Sequence, residues 1–339
     1  MFLIRNARPG DLRQLLKLAH ELDSINLPAE SSELRALLER SERSFAGRIR
    51  QRSRAVYLFC AEDARTGALA GASMIIGKHG TPRAPHYYLQ VDSDERYSHA
   101  LRKMFRHTYL RLRYSMDGPS ELGGLIVKRA MRRNPERVGR QLSWVRFLYI
   151  AKHRARFERE LIAEMLPPMT PGYRNAFWDH WGGLVTGLTF READRLSSRD
   201  KQFIRELFPE SPLYTFLLPE DVRNSLGAAG DQTRGAVRLL EQAGMRFLDQ
   251  IDPFDGGPYY GGVVDHLEPV KNCRSYRIVS GGESAGDAEN FLVAREDRQG
   301  FRAVKATAIA EQGHLAAPPE ILKALAVTEG DRVDAVPLP

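Results

Sequence analysis

The apolar positions of this chain alternate first and turn helical later. Residues 1–8 alternate as a half-buried strand does, and Pro9-Gly10-Asp11 forms a turn that can cap a helix predicted over residues 12–22. Ile25-Asn26-Leu27-Pro28 interrupts that helix. Ser31 or Ser32 starts a second one, with Glu33 in its first turn and its end at Phe45. Residues 55–61 and 69–77 are strands around Arg65-Thr66-Gly67, a hairpin signal, and residues 86–91 suit a further strand. Residues 97–114 read as a strongly basic helix with Leu101, Phe105, Leu110 and Leu112 apolar. Next comes the most informative stretch: a short strand over 122–127, a basic loop, and a helix whose Leu142, Val145, Leu148 and Tyr149 recur at three- and four-residue steps.

Beyond Arg156 the pattern restarts. Residues 157–165 read as a helix, and residues 166–171 are a breaker-rich linker. Helices are predicted over 174–181, 198–208, 219–226 and 232–243. Gly244 closes the last of these, and a strand over 245–251 runs into Phe254-Asp255-Gly256-Gly257-Pro258. From about Val264 the chain is strand-rich, with turns at 280–286 and 296–300. It ends in a short helix, a Gly330-Asp331 turn and a strand.

Length sets the domain prior. At 339 residues the chain exceeds one typical domain, so two domains with an appendage are expected. With 42% hydrophobic and 27% charged residues, it belongs with soluble globular proteins. A formal charge of +7 favours acidic partners only slightly. Cys60 and Cys273 lie far apart with no C-x-x-C spacing, so neither a zinc site nor a disulfide framework is expected, and no metal is predicted. Arg5 and Arg8 come too early for a signal-peptide core, and no apolar run is long enough to span a membrane. The expected location is the cytoplasm.

A strand feeding a loop that opens a helix can hold phosphate, because the first N–H groups of the helix have no partner inside it and sit at its positive end. Arg132, Arg133, Arg137 and Arg140 add to that pull. The same residues also fit a solvated basic loop after a buried strand.

The strand–loop–helix resembles the acyl-CoA-binding element of the GNAT N-acyltransferases, and LLEQAGMRFLDQID resembles that fold's closing helix–Gly–strand. Almost the whole chain is similar to the arginine N-succinyltransferase family. The matching pieces are FLIRNARPGDL, NLP, ELGGL, QLSWVRF, LIAEM, GYRNAFW, KQFIRELFPESPLYTFLL and QTRGAVRLLEQAGMRF running into DPFDGGP. The resemblance implies an α+β, GNAT-like fold in two tandem domains, residues 1–156 (acyl-CoA-binding) and 157–263, with a β-rich extension over 264–339. It also implies transfer of a succinyl group from succinyl-CoA, or of another acyl from its CoA, to the amine of arginine or a related amino acid in arginine catabolism. Association of like or paralogous subunits, without a membrane, follows from the same resemblance.

Carried over by position, the family's succinyl-CoA contact falls on Leu125, beside Ile126 and Val127, where a backbone N–H can polarise the thioester carbonyl. Gly139 takes the place of the last glycine of the phosphate loop, with Arg137, Val138, Arg140, Gln141 and Leu142 around it. Asn26, Asp255, Gly256 and Gly257 are candidate substrate contacts, Asp255 as a partner for a guanidinium. Two of the chain's departures from the family matter most. Arg137 replaces a loop glycine, and Gly230, before Asp231-Gln232-Thr233, replaces the family's proton-donating histidine. Asp231 and His266 are the candidates to carry the proton instead. Asp231 also suits a helix cap and His266 a surface loop. Two other readings stand beside catalysis: a degenerate, non-catalytic paralogue acting as a partner or regulatory subunit, and a nucleic-acid binder. The latter rests on the basic helix at 97–114 and on a tail that resembles swapped-hairpin DNA-binding regulators.

Overall fold

The computed structural model describes residues 1–21, 27–169, 175–197, 201–281 and 288–339. Strands β1 (Phe2–Asn6), β2 (Val56–Asp63) and β3 (Leu69–Ile76) form where the alternation predicts them, as do helices α1 (Leu12–Glu21) and α2 (Ser31–Phe45). Of the expected interruption at residues 25–28, Ile25 and Asn26 lie outside the described residues, and no helix covers Leu27 and Pro28. The turn expected to cap α1 works through Asp11. Its carboxylate accepts the Arg8 N–H at 2.7 Å and both terminal nitrogens of buried Arg5, at 2.7 and 2.8 Å.

Two predicted helices are strands. Residues 97–114 belong to a long hairpin, β4 (His86–Ser98) with β5 (Lys103–Ser115). From Thr108 to Tyr114 the true period is two, with Leu110 and Leu112 on one face and Tyr109, Arg111 and Arg113 on the other. Residues 157–165 likewise hold β7 (Glu160–Glu164), whose Leu161 and Ala163 pack on one side while Glu160 and Glu164 face the other. A five-residue strand flanked by apolar residues matches either period, and burial at the sheet centre decides for strand. The remaining elements of this part are β6 (Ser120–Val127), α3 (Val138–Lys152), short helices within residues 176–225, a two-residue β8 (Leu213–Tyr214), the helix Arg234–Gln242, β9 (Arg246–Ile251) and β10 (Pro258–Val263).

One sheet runs through both halves of the chain, in the order β1-β2-β3-β6-β7-β10-β9-β4-β5-β8. The boundary expected near residue 156 falls inside it, since β7 pairs with β6 and β9 pairs with both β10 and β4. Helix α3 covers one face of β1, β2, β3 and β6, and α1 with α2 covers the other. β2 is therefore buried on both sides, with Tyr57, Phe59 and Ala61 towards α3 and Val56, Leu58 and Cys60 towards α1 and α2. Buried almost all round, α3 lacks the single apolar stripe expected of it.

The extension is strand-rich as expected: β11 (Arg274–Ser280), β12 (Glu289–Asp297), β13 (Gly300–Glu311), β14 (His314–Ala317) and β15 (Arg332–Pro337). They run β12-β15-β11-β14-β13, and a β12–β13 pairing closes them into a small barrel, which β13 joins to β1. Pro319–Leu325 plugs it with Ile321, Leu322 and Leu325. The described architecture is α+β, as expected. Among the described residues, no helix is long and apolar enough to cross a membrane.

The Arg5–Asp11 pair ties β1 to the start of α1 and is almost fully buried. Asp11→Ala removes two of the bonds that hold the buried Arg5 guanidinium and leaves it with Glu62, whose Oε2 accepts from Arg5 Nε at 2.7 Å, so it should lower stability by about 3 kcal/mol in denaturant unfolding. A loss under about 1 kcal/mol would mean that the pair behaves as an exposed one.

Candidate active site

Among the described residues β6 and β7 are the one parallel neighbour pair of the sheet outside the barrel, and their pairing is short. Ser120 faces Leu161 and Glu121 faces Ile162, and beyond these two positions the strands part. β6 also carries a bulge, since Ala72 pairs with Ile126 and Met74 with Gly123, so that Gly124 and Leu125 together oppose Ser73. Gly124 takes φ +57°, which suits glycine. The bulge shows in the packing: Leu122 joins the core beneath α3, whereas Ile126, four residues on, joins the core on the opposite face. It therefore takes the backbone at Leu125 out of regular pairing beside the gap between the strands.

The C-terminal end of β6 leads through residues 128–137 to the start of α3. Arg137 is the N-cap, exposed and in the left-handed region at φ +51°. The N–H groups of Arg140 and Gln141 turn back onto the Arg137 carbonyl, which leaves those of Val138 and Gly139 as the helix's unpaired donors among the described residues. A Cβ added at Gly139 would meet only Val127 Cγ2, at 3.5 Å, so the helix start lies directly against the end of β6. Burial, then the nearby Arg137 charge, lower the pKa of Arg140. Two cations thus crowd one helix N-terminus, and the structure brings Leu125, Ile126, Val127, Arg137, Val138, Gly139, Arg140, Gln141 and Leu142 together as one element.

The other face of the gap is acidic, and sequence reasoning missed most of it. Glu121 and Glu164 project opposite to Leu122 and Ala163, towards the α1–α2 side. Tyr259 on β10 pairs with Glu164 in the sheet, and its hydroxyl donates to Glu164 Oε2 at 3.3 Å and Asp252 Oδ2 at 3.1 Å. Glu164, Asp252 and Asp255 each place a carboxylate oxygen within 4.8 Å of the others. Such a set can take a divalent ion or an organic cation. None of the three forms a salt bridge with Lys or Arg among the described residues, the positive charge named near them being Lys201. Burial raises all three pKa values, and repulsion from Asp252 raises those of Glu164 and Asp255 further. At that spacing two full charges repel by about 3 kcal/mol if the effective dielectric is about 20.

Glu121 behaves differently. Burial pushes its pKa up, but His79, whose Nε2 lies 2.8 Å from Glu121 Oε2, outweighs this and holds it below the usual range. His79 Nδ1 is 3.4 Å from Nδ1 of His86, which stacks on Tyr88 and meets Tyr259 edge-on. Burial, then His79, lower the His86 pKa to about 3, so that ring stays neutral. No spacing motif announces these groups, which come from β3–β4, β6, β7, β9–β10 and β10. The available signal was period two: Glu121 and Glu164 are charges set among apolar neighbours in central strands.

The remaining expected site residues divide. Asn26 lies outside the described residues. Asp255 is buried in the acidic cluster, its Oδ1 accepting the Gly257 N–H at 2.7 Å. Gly256 has φ +75°, and a Cβ on Gly257 would lie 2.4 Å from the Met165 carbonyl, so both glycines shape the turn that presents Asp255. Asp231 is exposed, paired with Arg234 at 2.7 Å, and not one of the clustered carboxylates. It caps nothing, because the helix starts at Arg234 behind Thr233. His266 is exposed on a turn after β10. Gly230 packs on the backbone after β7, and an added Cβ would lie 2.7 Å from the Pro167 carbonyl. Histidine has no room there without backbone movement.

Because the three clustered carboxylates titrate above their ordinary range, the folded chain holds protons that the unfolded chain releases, and stability falls as pH rises through the raised values. Glu164→Gln removes part of that loss. Its melting temperature should exceed wild type at pH 8, and the gap should shrink towards pH 4.5. A variant that melts lower than wild type at both pH values would contradict this electrostatic picture.

The chain matches the family model for the arginine N-succinyltransferase beta subunit over residues 2–269, and that for the same subunit's C-terminal domain over residues 274–337. It is 31% identical to an arginine N-succinyltransferase of Escherichia coli, over 100% of this chain and 98% of that one. Its identity to the arginine N-succinyltransferase subunit beta of Pseudomonas aeruginosa is 32%, over 99% and 98% of the two chains. The solved structure of arginine/ornithine succinyltransferase subunit AI from Pseudomonas aeruginosa superposes with a TM-score of 0.84 at 26% identity, covering 100% of this chain and 99% of that one. The chain belongs to the arginine N-succinyltransferase beta subunit family, and with it to the acyl-CoA-dependent N-acyltransferases.

Proposed function

We propose that this chain transfers a succinyl group from succinyl-CoA to an amine of arginine. The observation that carries the reading is the β6–β7 gap, which joins a cationic helix start at one end to a set of carboxylates without a Lys or Arg ion pair among the described residues at the other, Asp255 buried and Glu164 and Asp252 partly exposed. The pyrophosphate of CoA sits on the Val138 and Gly139 amides beside Arg137 and Arg140. The pantetheine arm lies along the free edge of β6, and the thioester carbonyl meets the backbone of the Leu125 bulge. The acceptor enters from the α1–α2 side. Its guanidinium replaces the missing counter-charge of Glu164, Asp252 and Asp255, which is why that cluster suits arginine better than an uncharged amino acid. The named relatives, an arginine N-succinyltransferase and an arginine/ornithine succinyltransferase subunit, support this choice.

In this reading the amine nitrogen attacks the thioester carbon, the C–S bond breaks, and the amine proton passes to Glu121, directly or through water. Glu121 stands where β6 leaves β7, and His79 orients it. This assignment replaces the family histidine, whose position is Gly230, and the exposed Asp231. We further propose that residues 1–263 act as one transferase unit bearing the barrel of 264–339, and that the chain assembles with like or paralogous subunits, as the beta-subunit descriptions suggest.

Gly139→Glu should abolish CoA binding in calorimetry, whereas Gly139→Ala, which meets only Val127, should retain it. Equal affinity in the two variants would remove the pyrophosphate assignment. Thiol release from succinyl-CoA with arginine tests the chemistry. Glu121→Gln should lower kcat by about 10²–10⁴-fold, and Asp231→Asn should leave it near wild type. The reverse pattern would return the proton to Asp231. A wild type inert with every acyl-CoA and amine would favour a non-catalytic partner subunit.

A further inference from the structure

A second cavity, of about 420 Å³, opens beside the acidic cluster and has the opposite charge. Arg40 of α2, Arg54 before β2, Lys78, His79 and Arg83 between β3 and β4, and Lys201 line it together with serine, threonine and small or apolar residues, and among the described residues no Asp or Glu does. Lys78 is held by Asp117 and Glu158. Arg40, Arg54, Arg83 and Lys201 have no carboxylate within ion-pairing distance among the described residues. Five cations from four separate parts of the chain therefore converge on one concave space, and four of them have no ion-pair partner among the described residues. Such convergence carries an electrostatic cost that a bound anion relieves.

The position of the cavity says which anion. His79 belongs to both sites, since it lines the cavity while its Nε2 touches Glu121. Lys201 also lines the cavity and is close enough to act electrostatically on Glu121, Glu164 and Asp252. An anion held here therefore lies within one small molecule's length of the transfer centre. The size fits a carboxylate on a short chain, and a nucleotide phosphate already has its own place at α3, at the far end of β6.

Resting on the acyl-transfer reading above, we infer that this cavity takes a carboxylate of a reacting molecule and so makes the enzyme select substrates bearing one there. Two sources share that chemistry: the free end of a dicarboxylic acyl group and the α-carboxylate of the acceptor. In either case Arg40, Arg54 and Arg83 determine specificity and hold no role in the bond-making step. They are exposed, so their exchange for glutamine leaves the core packing intact.

The experiment compares kcat/KM in wild type and in the triple variant Arg40→Gln/Arg54→Gln/Arg83→Gln. The first ratio sets succinyl-CoA against butyryl-CoA, which has a methyl in place of the terminal carboxylate. The second sets arginine against agmatine, which lacks the α-carboxylate. One ratio should fall by about 10- to 100-fold in the variant, as expected on losing charge-assisted hydrogen bonds. Loss of the first ratio places the acyl carboxylate in the cavity, and loss of the second places the acceptor's there. Two unchanged ratios in an active enzyme overturn the inference. If the wild type transfers no acyl group at all, the acyl-transfer reading fails separately, and calorimetry with succinate and with arginine decides for the cavity. Binding by wild type that the triple variant loses supports it, and binding that is absent or unaltered overturns it.

Discussion

Everything in this site depends on how little β6 and β7 hold each other. Two residue pairs join them before they part, whereas the β2–β3 and β7–β10 ladders to either side hold seven and five. An open gap inside a sheet exposes backbone donors and acceptors that have to find partners, and that need is what makes the gap a binding slot. The Gly124–Leu125 bulge turns the β6 backbone at the same place. The flanking packing keeps the gap from closing: α3 fills one face with Leu142, Val145 and Tyr149, while Ser73 donates to the Leu142 carbonyl at 2.8 Å and fixes the helix against the bulged ladder.

Charge is then sorted along the slot. Cations gather at the start of α3 and in the cavity by Arg54, and carboxylates gather between them at Glu121, Glu164, Asp252 and Asp255. Within the folded chain this arrangement is uncomfortable, with like charges held together and their pKa values displaced. Perturbed groups of opposite sign lining neighbouring parts of one cleft are what a site for a zwitterionic or dicarboxylic substrate requires. The loss of the family histidine fits the same picture. At Gly230 the backbone packs on Pro167, and in the proposed reading Glu121 on β6, beside His79 of the β3–β4 connection, takes the proton instead.

The sequence made the cofactor side legible because that side is local. A strand, a loop and a helix contiguous in the chain place Leu125 and Gly139 together, and the pattern predicts each element. The acceptor side is assembled from distant segments whose pairing no local pattern records, so of its carboxylates only Asp255 was identified, through the glycines that follow it. The misread elements share one cause. In residues 97–114 and 157–165 apolar residues fit a period of 3.6 as readily as two; the hairpin with β4 decided for strand in the first, and pairing with the distant β10 in the second. The long β4–β5 hairpin also removes the basic helix on which a nucleic-acid reading leaned, because its cations are spread along a strand.

The central claim is that acyl-CoA and the acceptor reach one another through the β6–β7 gap from opposite faces. A crystal structure with a non-transferable succinyl-CoA analogue and arginine tests it most directly. The account predicts the analogue's carbonyl at the Leu125 bulge, its pyrophosphate on the Val138 and Gly139 amides, and the guanidinium against Glu164 and Asp255. Pyrophosphate bound away from α3, or a guanidinium that leaves the carboxylates unpaired, would contradict it.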